Sequence, residues 1–320
     1  MFISAWTCQT ALTVKAMKIV YFDSTRDFDS LNQAFPGLME GVDVYQGGKV
    51  FGDDDLIARL DGAQVAVNGH SPMSNAALNA LAPTLKRIVF LGTGAATYID
   101  IQHANSLGIT VEVVRDYGSR SIAEFAFGLA LDACRQISVM DRGIRQGQWS
   151  VLGGPELRGK TMGVVGLGGI GKEMVRISAA FGMQVVAWNR SPMTGDLPCQ
   201  QVSLEDVFRQ SDVVSLHVAS TSETAGMINA DLFACMKQGA VLVNVARGEI
   251  IDTDALMNAL KNGPLGHAAL DVFCTEPLPA DDPLTALENV TLTAHAAWNT
   301  PDADRNLMQI GFNLARAPLT

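Results

Sequence analysis

The stretch "VVGLGGIGKEM", residues 164–174, decides the fold. It joins an apolar, β-branched run to a helical pattern through three glycines spaced as GxGxxG: Gly166, Gly168 and Gly171. In such a turn Gly166 permits the tight bend, Gly168 lets the backbone approach a pyrophosphate, and Gly171 lets helix and strand pack closely. The helix opening at Gly169 and Ile170 offers free N–H groups and the positive end of its dipole to phosphates. A glycine-rich turn by itself is common. Between a strand and a helix it indicates dinucleotide binding. In a single-domain nucleotide binder the turn lies near the N-terminus, whereas here it begins about halfway along a chain of 320 residues. The preceding half needs its own account.

Apolar runs alternate with helical patterns on both sides of the turn. "KIVYF" (18–22), "AQVAVNG" (63–69), "RIVFL" (87–91) and "ITVEVV" (109–114) read as strands of a first parallel α/β unit. One long helical pattern follows over residues 119–146, with Ile122, Phe125, Ala126, Leu129, Ala133 and Ile137 at helical spacing. A second series then runs "MGVVGL" (162–167), "QVVAWN" (184–189), "DVVSLHV" (212–218), "AVLVNVA" (240–246), "HAALDVF" (267–273) and "VTLTAH" (290–295). Six strands with helical crossovers match one doubly wound sheet, and a last helix over 302–315 ends the pattern. The expected fold is α/β with two parallel-sheet domains, the nucleotide turn opening the second, the long helix bridging them and the active site between them.

Composition narrows the function. The chain carries a formal net charge of −10 and is 48% hydrophobic and 18% charged. An acidic chain without a Lys/Arg run is a poor partner for nucleic acid or an anionic membrane, and no apolar stretch is long enough to span a bilayer. Cys8, Cys134, Cys199, Cys235 and Cys274 are scattered and form no CxxC pair, which fits a reduced, cytoplasmic setting and neither a disulfide framework nor a zinc site. No His, Cys or carboxylate group has metal-ligand spacing, so no metal is expected. The leader "MFISAWTCQTALTVKA" (1–16) lacks a basic start and is interrupted by Gln9, Thr10 and Thr13. It reads as a disordered extension, or as the product of a start codon upstream of the natural start at Met17, rather than as a signal peptide.

The second strand of the nucleotide half ends in Asn189, Arg190 and Ser191. An NAD site has Asp or Glu here to accept from the ribose hydroxyls. Without that carboxylate, and with a guanidinium at hand for a 2′-phosphate, NADP(H) is favoured and NAD(H) is the alternative, with Arg190 then a solvated loop residue. Three further strand ends carry polar chemistry: "NVARGEIID" with Arg247, "ALDVFCTEPLP" with Asp271 and Glu276, and "LTAHAAWNT" with His295. Singly, Arg247 reads equally as a surface ion-pair partner, Glu276 as a loop carboxylate and His295 as a satisfied core histidine.

Together, in this order, these motifs resemble the D-isomer-specific 2-hydroxyacid dehydrogenases. "GTGAATYID", "SIAEFAFGLAL", "LRGKTMGVVGLGGIG", "SLHV", "VNVARGEIID", "AALDVFCTEPLP" and "TAHAAW" occur in the family's order from Met17 onward. The resemblance implies a Rossmann domain inserted into a flavodoxin-like substrate domain. The substrate domain takes residues 17–118 and 296–320, and the dinucleotide-binding domain takes 119–295. It implies Arg247 on the carboxylate and ketone of a 2-keto acid, His295 as proton donor, Glu276 orienting His295, and Asp271 on the nicotinamide carboxamide. The turn "LGTGAAT" (91–97) would bind the substrate carboxylate through backbone N–H groups at Thr93, Gly94 and Ala95. His217, Val218, Ala219, Thr224, Val245, Ala246 and Ala297 fall at positions lining the cofactor.

"HAAW" is similar to the glyoxylate and hydroxypyruvate reductase branch, which implies small polar 2-oxo acids as substrates and a homodimer as the assembly. A phosphoglycerate-dehydrogenase-type enzyme and a non-catalytic, NAD(H)-sensing corepressor-like protein are the rivals. "HVAST" lacks the proline usual after the strand-end histidine, and "VRDYGS" (114–119) replaces the usual entry to the long helix. His217 is more structural than chemical in this reading, His267 replaces a small residue and receives no role, and His70 and His103 are peripheral.

Overall fold

A strand covered by helices on both faces must be apolar throughout, and the uninterrupted runs in this sequence form such strands. The structure is a computed structural model that describes residues 17–25, 28–45 and 48–319. The leader lies outside the described residues. The chain divides into two units: residues up to Tyr117 together with Arg305–Thr320, and Gly118–Asp304.

In unit one, five strands form one sheet: β1 (Ile19–Tyr21), β2 (Val42–Val44), β3 (Val65–Asn68), β4 (Arg87–Phe90) and β5 (Thr110–Val113). Their order is β2-β1-β3-β4-β5, all parallel. This is the flavodoxin-like arrangement, with its topological switch between β1 and β3. Helices α1 (Phe28–Ala34), α2 (Gly52–Arg59), α3 (Asn75–Leu81) and α4 (Ile101–Ser106) connect the strands. Side chains alternate between faces. Val20, Phe22, Ala66, Ile88 and Phe90 enter one core layer, while Ile19, Tyr21, Val65, Val67 and Val89 enter the other. The second layer is completed by Leu307, Met308 and Phe312 of the C-terminal helix, Pro301–Arg316.

Unit two carries seven strands: β6 (Thr161–Val165), β7 (Gln184–Trp188), β8 (Gln200–Gln201), β9 (Val213–Leu216), β10 (Ala240–Asn244), β11 (Leu265–Leu270) and β12 (Val290–Leu292). The order β12-β11-β10-β9-β6-β7-β8 is a Rossmann sheet, whose halves diverge at β6 and β9. Helices α5 (Ser119–Arg135), α6 (Ile137–Arg145), α7 (Gly169–Ala180), α8 (Leu204–Gln210), α9 (Ala230–Ala234) and α10 (Thr253–Asn262) belong to this unit.

Four details depart from the sequence reading, the first being the short strand β2 of unit one, which was not expected. Strand β8 is a seventh strand, only two residues long and polar. The connection from β11 to β12 holds a short 3₁₀ turn, Pro283–Ala286, rather than an α-helix. The single helix expected over 119–146 is two helices. Gln136 is left-handed (φ 53°) and its N–H bonds back to the Asp132 carbonyl, ending α5. Asp132 then accepts from the Ser138 N–H at 2.7 Å and the Ser138 hydroxyl at 2.8 Å, which starts α6 in a new direction.

Unit one is assembled from two distant chain segments, and Arg87 of β4 joins them. Its buried guanidinium donates to the carbonyls of Leu314 (3.0 Å), Ala317 (2.7 Å) and Pro318 (2.8 Å), while Nε pairs with Glu112 at 2.9 Å. Removing it orphans three carbonyls and one carboxylate. Arg87→Ala should destabilise unit one by about 2–4 kcal/mol, read as an earlier transition in denaturant unfolding. An unchanged profile would show that the C-terminal residues are held by apolar packing alone.

Candidate active site

The glycine turn follows β6. Gly166 has φ 99°, and a Cβ there would stand 2.7 Å from the His217 carbonyl oxygen and 2.8 Å from Val218. Glycine is required because the β6 and β9 ends converge at the switch point. A Cβ on Gly171 would collide with the Gly166 carbonyl, which fixes the close approach of α7 to the turn. Gly168 differs: no atom lies within 4 Å of its would-be Cβ, and its φ is an ordinary −71°. Nothing in the protein demands glycine there. The open space at the start of α7, beside Gly169 and the partly buried Ile170, fits a pyrophosphate against the helix N-terminus.

A second observation fits the same group. His217 donates or accepts through Nε2 to the Ser215 hydroxyl at 2.9 Å, but its buried Nδ1 has no partner. Burial pushes its pKa down to about 3, so the ring is neutral. A buried polar atom without a partner is rare in a native protein, and here it stands at the strand end where a nucleotide would lie. Ala219 and Thr224 are tied together by the Thr224 hydroxyl, which donates to the Ala219 carbonyl at 2.7 Å. Val218 packs on one core layer, Val245 is buried in the other, and Ala297 is buried beside it.

At the end of β7, Asn189 braces the turn. Its Oδ1 accepts from the Leu167 N–H at 3.0 Å and its Nδ2 donates to the Ser191 carbonyl at 3.0 Å. Arg190 is exposed and pairs with Glu223 at 3.0 Å. The sequence reading did not find Glu223, and an acidic residue in a loop 33 positions away gives no local signal.

Strand β10 ends at Asn244, a fully buried side chain that folds the next residues. Oδ1 accepts from the Ala246 N–H at 3.0 Å and Nδ2 donates to the Arg247 carbonyl at 2.9 Å. Arg247 is exposed, with Nη1 on the Ala246 carbonyl at 2.6 Å. A Cβ on Gly248 would strike the Phe273–Cys274 backbone, so the β10 and β11 loops touch at this glycine.

Glu276 and His295 meet. Nδ1 of His295 is 2.7 Å from Oε2 of Glu276, each side chain being about a third exposed (37% and 34%). The other carboxylate oxygen accepts from the Phe273 N–H at 2.9 Å. Burial raises the Glu276 pKa, but the bonds from His295 and Phe273, with the charges of His295 and Arg247, outweigh it and leave the carboxyl below its ordinary range. A carboxylate on Nδ1 fixes the ring orientation and directs Nε2 outward. Among the described residues Nε2 has no hydrogen-bond partner.

His295 is itself left-handed, with φ 50°. Asp271 holds it there. The Asp271 carbonyl accepts the His295 N–H at 2.8 Å, and its carboxylate takes the Ala296 N–H (2.9 Å), the Ala297 N–H (2.9 Å) and the Thr293 hydroxyl (2.6 Å). Asp271 is 0% exposed. The hydrogen bonds of its carboxylate go to the loop carrying His295. In unit one, Ala95 is buried and starts a 3₁₀ turn, Ala95–Thr97, capped by Gly94, while Thr93 and Gly94 are exposed.

Comparison with known proteins shows the family. Residues 127–297, more than half of the chain, match the profile described as D-isomer specific 2-hydroxyacid dehydrogenase, NAD binding domain. A glyoxylate reductase of Aeropyrum pernix is 40% identical over 231 residues, 68% of this chain and 69% of that protein. A hydroxypyruvate reductase of Thermotoga maritima is 36% identical over 259 residues, 79% of this chain and 84% of that protein. The solved structure of D-2-hydroxyisocaproate dehydrogenase superposes with a TM-score of 0.83 at 27% identity, covering 93% of this chain and 95% of that one. The chain belongs to the D-isomer-specific 2-hydroxyacid dehydrogenases, nicotinamide-dependent oxidoreductases that interconvert 2-oxo and 2-hydroxy acids.

Asp271→Asn tests the support beneath His295. An amide presents one acceptor where three donors converge, so the loop should loosen. The expected outcome is turnover about 10- to 100-fold lower with nicotinamide-cofactor affinity nearly unchanged, since the loss is one of alignment. Wild-type turnover would show that the loop holds its shape without the carboxylate.

Proposed function

We propose that the protein reduces small polar 2-oxo acids of the glyoxylate and hydroxypyruvate type to D-2-hydroxy acids. The observation that carries this reading is the Glu276–His295 pair at 2.7 Å, with Nε2 of His295 left open and Arg247 close enough to lower the Glu276 pKa. The names of the two relatives support the substrate class. A protein that only sensed the cofactor would have no use for an oriented imidazole beside a guanidinium.

The cofactor, when bound, supplies the hydride. His295 gives its Nε2 proton to the carbonyl oxygen as the alcohol forms, and takes it back in the reverse direction. Glu276 accepts from Nδ1 and stabilises the charged ring before transfer. Arg247 engages the carboxylate and ketone oxygens through its planar fork, and the backbone N–H groups at Thr93, Gly94 and Ala95 bind the carboxylate. Gly166, Gly168, Gly169, Ile170 and Gly171 form the pyrophosphate cradle, with His217, Val218, Ala219, Thr224, Val245, Ala246 and Ala297 lining the remainder. His295→Ala should cut turnover of both 2-oxo acids by about 10²–10⁴-fold while the cofactor still binds. Near-normal turnover would remove His295 from the reaction.

NADP(H) is the proposed cofactor over NAD(H). The end of β7 offers no carboxylate, Asn189 is occupied within the turn, and Ser191 adds a hydroxyl beside Arg190. Glu223 competes for Arg190, but both partners are largely exposed (81% and 73%), and such pairs contribute about 1 kcal/mol or less. Arg190 can therefore exchange Glu223 for a phosphate at little cost. We expect NADPH to be preferred about tenfold in kcat/KM. Arg190→Ala should erase the preference and Glu223→Gln should widen it. An NADH preference in the wild type would refute the assignment.

The proposed assembly is a homodimer. Ile137, Ile144, Trp149 and Val151 are all exposed along α6 and the segment after it, Trp149 and Val151 almost fully (87% and 88%). Apolar residues concentrated so closely mark an association surface. The described cysteines are free thiols, and no described helix is long and apolar enough to cross a membrane.

A further inference from the structure

His70 stands at the carboxyl end of β3, beside the β1/β3 switch of unit one, where open parallel sheets receive ligands. Its backbone has φ 133°, a region that glycine occupies freely and other residues rarely. The loop imposes it. Asn68, fully buried, accepts from the N–H groups of His70 (2.8 Å) and Ser71 (2.9 Å) and donates to the Ser71 carbonyl (2.9 Å). Asp23, at the end of β1, accepts from Gly69 N–H (2.8 Å) and Ser71 N–H (3.1 Å). A Cβ on the intervening Gly69 would press at 3.2 Å on both Asp23 and the Tyr21 hydroxyl, so this turn has one shape.

The imidazole is aimed as firmly as the backbone. It sits edge-on to Phe90 (5.0 Å between centroids) and Tyr98 (5.6 Å). Its Nε2 lies 3.5 Å from where a Cβ on Gly92 would stand, over the start of the turn that continues through residues 93–95. The side chain nevertheless stays exposed. Burial of part of the ring lowers its pKa, with Asp23 partly opposing, so it is neutral at neutral pH and offers one donor and one acceptor. A strained residue that a dense hydrogen-bond set maintains is a mark of a ligand clamp.

We propose that His70 is a substrate-recognition residue that hydrogen-bonds a hydroxyl on carbon 3 of the 2-oxo acid, and so favours hydroxypyruvate over an acid with a plain methyl group. The inference rests on the reductase reading above, which places the substrate carboxylate on the turn beside it. A neutral imidazole suits this role because it pairs with a hydroxyl and leaves a polar atom unsatisfied against a methyl group. Sites of that kind discriminate more strongly than apolar pockets.

His70→Gly separates recognition from structure. Glycine adopts φ 133° without strain, so the variant should melt at the wild-type temperature or higher. The readout is kcat/KM for hydroxypyruvate divided by that for pyruvate, two substrates that differ by the hydroxyl alone. That ratio should fall by about tenfold or more in His70→Gly. A ratio within about twofold of wild type in a stably folded variant would overturn the role of His70. A wild type inert on glyoxylate, hydroxypyruvate and pyruvate would instead overturn the reductase reading, and this inference with it.

Discussion

One buried carboxylate organises the chemistry of unit two. Asp271 ends β11 and gathers the Thr293 hydroxyl and the Ala296 and Ala297 N–H groups, while its own carbonyl takes the His295 N–H. A left-handed backbone at a non-glycine residue costs on the order of 1–3 kcal/mol. Charge-assisted hydrogen bonds in a dry site offset that cost, and the geometry at His295 persists because Asp271 over-determines it. Glu276 leaves the same strand end five residues later and closes on Nδ1 of His295. The members of the dyad thus come from two loops, one after β11 and one after β12, and Asp271 at the root of the first holds the second in place.

A second device recurs in both units. Asn68 and Asn244 each terminate a central strand, are fully buried, and use the side-chain amide to fold the following residues into a tight turn. The residue delivered is His70 in one case and Arg247 in the other. A short amide can replace both a missing N–H and a missing carbonyl partner at a strand end, which lets a sheet stop abruptly and present a side chain at its carboxyl edge. In open parallel sheets that edge is where ligands sit, so the same covalent economy serves binding in each unit.

Legibility in the sequence followed physical range. The long apolar strands and the glycine turn were readable because their causes are local: β-branched runs, backbone freedom, helix starts. Strands β2 and β8 were not, since Val42–Val44 offers only two apolar residues and Gln200–Gln201 none. The break at Gln136 escaped notice because neither glycine nor proline marks it, and the Asp132–Ser138 bonds that stabilise it are visible only in three dimensions. Arg247, Glu276 and His295 were singled out by type and order, and the structure brings Glu276 and His295 together. The duties of Asp271, Glu223 and His70 depend on burial and on long-range partners, which a single sequence does not display.

The interrupted chain path of unit one bears on how the protein is made. Residues 305–320 leave the ribosome only after all of unit two, yet they supply Leu307, Met308 and Phe312 to the first core and the carbonyls that satisfy Arg87. At about 5–20 residues per second, the β1–β5 sheet would wait on the order of ten seconds or more with one apolar face only partly covered, by Leu31, Phe35, Leu38 and Met39, while the contiguous unit two can finish folding as it emerges. The nascent protein therefore passes through a stage in which the nucleotide-binding half is complete and the other half is sticky. That interval is where chaperone capture or aggregation would act.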